Sequence, residues 1–265
     1  METSKFFEKT DPIEHRLTKD GSSTLFSHQF NQHYHNPNGA LSESLHVFFE
    51  YQGLIEALQS SETIRILEIG FGTGLNLAIL ADLLTQLETP PEVQFYSIEA
   101  FPISAEVASS LSFSDLSNQT LVSDLVSIFG SVHSGWNISH PFQDVPITLH
   151  LFVGAFEKAV LPQQFFDFIF HDPFSPEVNG ELWTPEVFKT LKQSSKPGAR
   201  LATYCAASKA RSAIAAAGWY VARAPGALGK REMTLASLSE DRLAGFKRVN
   251  ERRLIERLEQ GEFDG

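Results

Sequence analysis

Two short clusters of residues in this sequence could do chemistry. The first is Glu68-Ile69-Gly70-Phe71-Gly72-Thr73-Gly74-Leu75-Asn76, an acid followed by three glycines at alternate positions. Glycines let a backbone approach a ligand closely and adopt angles that a Cβ forbids. If a helix begins there, its first N–H groups point at whatever lies over the turn. Such a turn suits a nucleoside-bearing ligand. The second cluster is His171-Asp172-Pro173-Phe174-Ser175-Pro176. A fixed carboxylate can orient an amine by accepting its N–H and can then take the proton that the amine sheds. Each proline locks its own φ and restricts the residue before it. Rigid placement of this kind supplies much of the rate of a two-substrate reaction. Taken alone, an Asp-Pro pair is more simply a turn, and His171, the competing base, reads as a core histidine at the end of a buried strand.

The elements that position these clusters follow from periodicity. Strands are expected at 64–69, 93–99, 147–153, 166–171, 199–205, 218–223 and 231–237. Helices are expected at 40–58, 75–87, 103–110, 116–129, 184–194 and 208–217, with 75–84 amphipathic and a terminal charged helix over 239–259. Residues 1–20 lack periodicity and read as poorly ordered, and 21–39 as a short hairpin or extended arm. Strands alternating with helices imply βαβ units and a parallel sheet. Gly218 reads as a helix C-cap. Only a short turn separates the last two strands, which predicts an antiparallel hairpin at the sheet edge. The expected fold is therefore α/β. Three segments follow: an N-terminal extension over 1–60, a catalytic domain over 61–238 and a charged helix over 239–265.

In an open α/β sheet, ligands bind outside the carboxyl ends of the strands. Both clusters lie at such ends. So does Glu99, which closes the second strand of the domain and can accept hydrogen bonds from two ribose hydroxyls. The third strand ends at Gly154-Ala155, which puts no polar side chain at its mouth unless the strand is mis-registered. The Gly-rich turn is not a phosphate loop, since no Lys follows its glycines. Nor is it the G-x-G-x-x-G of dinucleotide sites. Glu68-x-Gly70-x-Gly72-x-Gly74 resembles motif I of the class I S-adenosylmethionine methyltransferases, and Asp172-Pro173-Phe174 resembles the motif IV of those that act on amino groups. That resemblance implies a Rossmann-like sheet of seven strands, mostly parallel with an antiparallel edge strand.

Composition sets outer bounds. The chain has 265 residues and a single cysteine, Cys205, which excludes an internal disulfide framework and a Cys-based zinc site. None of the nine histidines has metal-site spacing, so no metal is expected. No run of 18 apolar residues predicts a membrane span and no signal peptide opens the chain, which reads as cytoplasmic, without an evident obligate protein partner. The net charge is −11, but it is unevenly placed. Residues 1–188 carry 6 Lys and Arg against 24 Asp and Glu, whereas 189–265 carry 15 against 8. Such asymmetry points to a polyanion-binding face, with a solvated basic helix as the plainer alternative.

Four segments together resemble one family. They are Asp20-Gly21-Ser22-Ser23-Thr24-Leu25 through Tyr34-His35 and Gly39 to Ser44; Glu68 to Asn76; Asp172 to Pro176 with Leu182-Trp183-Thr184; and Gly229-Lys230-Arg231-Glu232-Met233. The set is similar to the methyltransferase module of the MnmC family of tRNA-modifying enzymes. The resemblance covers about residues 20–238. It implies methylation of 5-aminomethyl-(2-thio)uridine at the wobble position of tRNA, giving the 5-methylaminomethyl form, with S-adenosylmethionine as donor. It implies that Glu68, Gly70, Phe71, Gly72, Thr73, Gly74, Asn76 and Glu99 hold the cofactor, with Asp172 beside it holding the amine. Lys230 and Arg231 would face the substrate, with Phe174 and Trp183 as candidates for stacking on an unstacked base. Arg211 joins Lys230 and Arg231 as a candidate for the RNA face. Bifunctional members carry an FAD-dependent oxidase module, for which this sequence has no room, so no FAD is expected. Where family members commonly have an acid after the third strand and a Lys after the second-strand acid, this sequence has Ala155 and Ala100. Two other readings stand beside this one. A methyltransferase for a small-molecule amine would have no use for the basic third, and a non-catalytic nucleoside-binding protein would have no use for Asp172.

Overall fold

The computed structural model describes residues 13–113 and 116–263. The fold class is the expected one, α/β with a large, mostly parallel sheet. The chain forms two compact units, one of residues up to Leu45 with Ile55–Val160, the other of His46–Leu54 with Leu161 onward.

The first unit opens with an antiparallel arm of β1 (Ile13–Leu17), β2 (Ser23–Ser27) and β3 (Gln32–His33). Residues 13–17 are thus a strand, and the rest of the expectation for 1–20 lies largely outside the described residues. After α1 (Ala40–Ser44) and α2 (Leu54–Ser60) come β4 (Thr63–Ile69), α3 (Leu75–Thr85), β5 (Glu92–Glu99), α4 (Ala105–Ser109), α5 (Thr120–Phe129), β6 (Gly135–Ser139) and β7 (Ile147–Val153). Their sheet runs β6-β7-β5-β4, with β4, β5 and β7 parallel and β6 antiparallel at the edge. The residues Ile64, Ile66, Leu67 and Ile69 are buried, as strands covered on both faces require. Helix α3 is not amphipathic: nine of its eleven residues are buried. Helices α1 and α5 pack on it, and a helix apolar on all sides is a core helix.

The helix expected over 40–58 is interrupted. A π-helical turn spans Leu45–Glu50, and Gly53, at φ +74°, turns the chain before α2. The interruption has a purpose in the second unit, to which 46–54 belong. Phe48 and Phe49 pack on Phe170 at 5.0 and 5.5 Å between ring centroids. The fully buried Gln52 donates through Nε2 to the carbonyls of Ile169 at 2.9 Å and Arg200 at 2.8 Å.

The second unit continues with β8 (Phe166–His171), α6 (Pro185–Ser194), β9 (Ser195–Thr203), α7 (Ser208–Ala216), β10 (Tyr220–Pro225), β11 (Glu232–Ser237), β12 (Lys247–Arg248) and α8 (Glu251–Glu259). Strands β8 and β9 are parallel; β11 lies between β9 and β10, antiparallel to both. The expected hairpin is present, but the two-residue β12 flanks β10 and takes the outer position. Gly218 is left-handed at φ +83° and its N–H reaches Ala215 O, closing α7 as expected. The long terminal helix is a correction. A 3-10 turn at Glu240–Leu243, the left-handed Gly245 and β12 occupy its first half. Helix α8 starts only where Asn250 caps it, accepting the Arg253 N–H. Among the described residues no helix is long and apolar enough to cross a membrane.

Candidate active site

In the first unit the Gly-rich turn joins β4 to α3. Gly70, Gly72 and Gly74 have φ of +94°, +54° and +74°, angles that other residues rarely adopt. Gly74 is also confined, since a Cβ there would lie 2.6 Å from Leu125 Cδ1. A Cβ on Gly72 would meet Tyr34 Cδ1 at 3.3 Å. The arm therefore borders the turn, and His35 Nε2 reaches Thr73 Oγ1 at 2.7 Å. Burial holds the His35 imidazole down to about 4, so it is neutral in this contact.

Glu68 is buried at the end of β4. Ser97 Oγ donates to its Oε2 at 2.7 Å and Asn76 Nδ2 to its Oε1 at 2.9 Å. Burial pushes this carboxyl up to about 8; the two donors oppose that shift and the nearby Glu99 adds to it. No cation pairs with it among the described residues. Glu99, which closes β5, accepts the Gly72 N–H through Oε2 at 2.9 Å and the Phe101 N–H through Oε1 at 2.8 Å. Burial raises its pKa, while these backbone donors and those of Ala100 and Phe71 lower it. Glu99 thus sits among backbone donors of both the Gly-rich turn and the segment after β5. Phe71 turns its ring into the core, 5.5 Å from that of Phe129, and offers the turn only its backbone. Ala155 opens a 3-10 turn after β7.

These features test whether S-adenosylmethionine suits the first unit. A buried carboxyl with neutral donors and no counter-ion is complemented by an ammonium group. Glu99 places an acceptor carboxylate beside the turn. The three glycines add no side chains of their own to the turn. The residues fit the cofactor's amino-acid and ribose ends.

In the second unit Asp172 follows β8 directly and is half-buried. The loop after it folds on itself, with the N–H groups of Val178 and Asn179 both reaching Ser175 O at 2.9 Å. Trp183 is 2% exposed, and its Nε1 donates to Phe174 O at 2.9 Å. This corrects the stacking candidate: so buried a ring supports the loop and offers no open face to a base. Phe174 is half-buried. His171 is fully buried, edge-on to Trp183 at 4.6 Å. Burial depresses its pKa to about 3, so it is a neutral core residue as expected.

Lys230 and Arg231 are exposed at the tip of the β10–β11 hairpin. The register pairs Thr234 with Thr203 at the carboxyl end of β9, so the tip shares an edge with the Asp172 loop. Arg211 does not belong to that surface. It is buried, with Nη1 on Glu232 at 3.0 Å, Nε on Thr234 Oγ1 at 2.9 Å and Nη2 on Met233 O at 3.1 Å. Arg242 lies against Gly198, near the other end of β9. Two of the three cations of α8 pair locally, Arg252 with Glu256 at 3.0 Å and Arg257 with Glu262 at 2.6 Å. The basic third is thus several surfaces, of which the hairpin tip adjoins Asp172. Among the described residues no group of three or more His, Cys, Asp or Glu side chains converges as a metal site.

Sequence reading missed His35, Ser97 and Tyr204 as members of these clusters. Only His35 left a trace, in the Tyr34-His35 pair of the family resemblance.

A family model described as S-adenosyl-L-methionine-dependent methyltransferase matches residues 125–239. Fold, site geometry and family model together point to one class, that of the S-adenosylmethionine-dependent methyltransferases. A protein of Cupriavidus metallidurans named as the tRNA 5-methylaminomethyl-2-thiouridine biosynthesis bifunctional protein MnmC is 34% identical over 235 residues, 85% of this chain and 34% of that protein. One of the same name from Leptospira interrogans is 32% identical over 230 residues, 84% of this chain and 35% of its own length. The chain spans about a third of the length of these relatives. The crystal structure of MNMC2 from Aquifex aeolicus superposes with a TM-score of 0.74 at 24% identity, covering 95% of this chain and 77% of that one; this likeness carries the fold. Within that class the chain is similar, over 84–85% of its own length, to one part of the MnmC proteins.

Proposed function

We propose that the protein transfers a methyl group from S-adenosylmethionine to the exocyclic amine of 5-aminomethyl-(2-thio)uridine at the wobble position of tRNA. The observation that carries this reading is the acceptor edge of the second unit. A carboxylate, Asp172, stands there on a loop stiffened by Pro173 and Pro176, and the exposed cations Lys230 and Arg231 share that edge. An amine held beside a surface for phosphates is the chemistry of a modified nucleoside in RNA. The names of the MnmC relatives supply the particular nucleoside.

When bound, the cofactor supplies an electrophilic methyl group on a sulfonium. The carboxyl of Glu68 takes the ammonium end of it. Glu99, at the mouth of β5, would meet the ribose hydroxyls by exchanging some of its backbone donors for them, and the glycines Gly70, Gly72 and Gly74 would let the backbone approach the cofactor. Asp172 would accept an N–H of the neutral substrate amine and so orient its nitrogen lone pair. Asp172 or water would take the extra proton of the ammonium that methylation leaves on the substrate nitrogen. Lys230 and Arg231 contact the RNA backbone, and Phe174 is the remaining candidate for stacking on the target base. The step needs neither a flavin nor a metal. The cytoplasm, where tRNA is found, is the proposed location, and no obligate protein partner is invoked.

The test is direct. Purified protein, S-adenosylmethionine and tRNA carrying the aminomethyl nucleoside should yield the methylaminomethyl nucleoside by mass analysis. Methylation of small polyamines instead, insensitive to salt, would replace this reading with the small-molecule one. Binding of the cofactor with no methylation of either acceptor would favour the non-catalytic alternative.

A further inference from the structure

We propose that Tyr204, at the carboxyl end of β9, is a positioning residue for the acceptor carboxylate; the role rests on the reading of Asp172 given above. Tyr204 Oη donates to the carbonyl of Pro173 at 2.8 Å. The next carbonyl along, that of Phe174, accepts from Trp183 Nε1 at 2.9 Å. Two consecutive peptide units after Asp172 are therefore each held by a side-chain donor. Pro173 has no N–H and its φ is fixed by its ring, so the position of its carbonyl sets the one soft angle left to it. On the other side of Asp172, β8 holds the chain against β9. The acid is bracketed between a strand and a clamped carbonyl, and this fixes the direction of its Cα–Cβ bond.

The Tyr204 hydroxyl is itself a fixed point. The adjacent Cys205 gives its N–H to Thr203 Oγ1 and its carbonyl accepts from Thr234 Oγ1 at 2.6 Å. Thr234 is in turn held by the buried Arg211. The face of the Tyr204 ring carries Lys230 Nζ at 5.3 Å from its centroid, a distance at which a cation is attracted to the ring. The anchor of the acid loop and a cation of the hairpin tip thus share one side chain.

The variant Tyr204→Phe removes the donor and keeps the ring. In the full-length protein it should lower kcat for tRNA methylation by about 10- to 100-fold, the scale set by small misplacements of a reacting group. KM for tRNA and the cofactor affinity measured by calorimetry should stay within about twofold, because only the orientation of the acid is lost. Amide exchange over Phe174–Asn179, followed by mass spectrometry, should rise in the variant. An unchanged kcat in an active enzyme, or unchanged exchange in that segment, overturns the proposal. Should the wild-type protein fail to methylate the tRNA, the acceptor reading falls, and the exchange comparison still decides whether Tyr204 holds the loop.

Discussion

Glu99 Oε2 accepts the N–H of Gly72 at 2.9 Å, so the residue that closes β5 fixes the turn that follows β4. Its other oxygen holds Phe101. Glutamine has a single acceptor oxygen, so Glu99→Gln must leave one of these two N–H groups facing an NH2. The expected result is faster exchange at the Gly72 or Phe101 amide and a loss of about 0.5–1.5 kcal/mol, the scale of an ordinary hydrogen bond that water can in part replace. Cofactor affinity should fall with it in a calorimetric titration.

Glu68 predicts a pH dependence of opposite sign to that of most carboxylates. Its folded pKa, about 8, lies above the ordinary 4.5, so its contribution to stability is full below about pH 4.5 and declines as pH rises toward about 8. Thermal unfolding of the ligand-free protein should show Glu68→Gln to be more stable than the wild type at the upper end of that window and no better at the lower end. The cofactor's ammonium favours the ionised form. Binding near pH 7 should therefore release up to about one proton, read as a dependence of the calorimetric heat on buffer ionisation enthalpy. The Gln variant should bind more weakly and release none.

Asp172→Ala should separate binding from chemistry. We expect cofactor affinity within about twofold of wild type and a fall in kcat of about 10²- to 10⁴-fold, the range for loss of a positioned acid or base. Unaltered turnover would remove Asp172 from the reaction.

Charge reversal distinguishes the surfaces of the basic third. Lys230→Glu and Arg231→Glu should each weaken tRNA binding and reduce the slope of log K against log salt by about 1. Arg252→Glu, on a helix where that residue already pairs with Glu256, should leave the slope in place. Arg211→Glu should lower stability by about 3 kcal/mol or more in urea unfolding, since it sets a second carboxylate against Glu232 in a buried site.

The Gly-rich turn, the strands that carry the site and the β10–β11 hairpin were legible because apolar runs and turn residues alternate cleanly there. Strand β6 was not, since Gly135–Ser139 is a short edge strand without a buried pattern. The C-terminal helix is shorter than its charge pattern implies, because dense charge alone does not distinguish helix from turn and Gly245 and Asn250 divide the segment. Arg211 shows the limit of counting charges. Its type suits a phosphate surface, and only the fold reveals that α7 turns it inward onto Glu232, Thr234 and Met233. The Tyr204–Pro173 contact joins positions 31 residues apart, and no local pattern announces a pair at that separation.

The segment 46–54 has a practical corollary for dissecting the molecule. A fragment beginning at Leu161 would contain every strand from β8 to β12, yet it would lack the Gln52 amide on Ile169 and Arg200 and the two rings that cover Phe170. Trimming the chain from its amino end would therefore undo the half that begins more than a hundred residues downstream, and the missing nine residues would have to be supplied as a separate peptide to restore it.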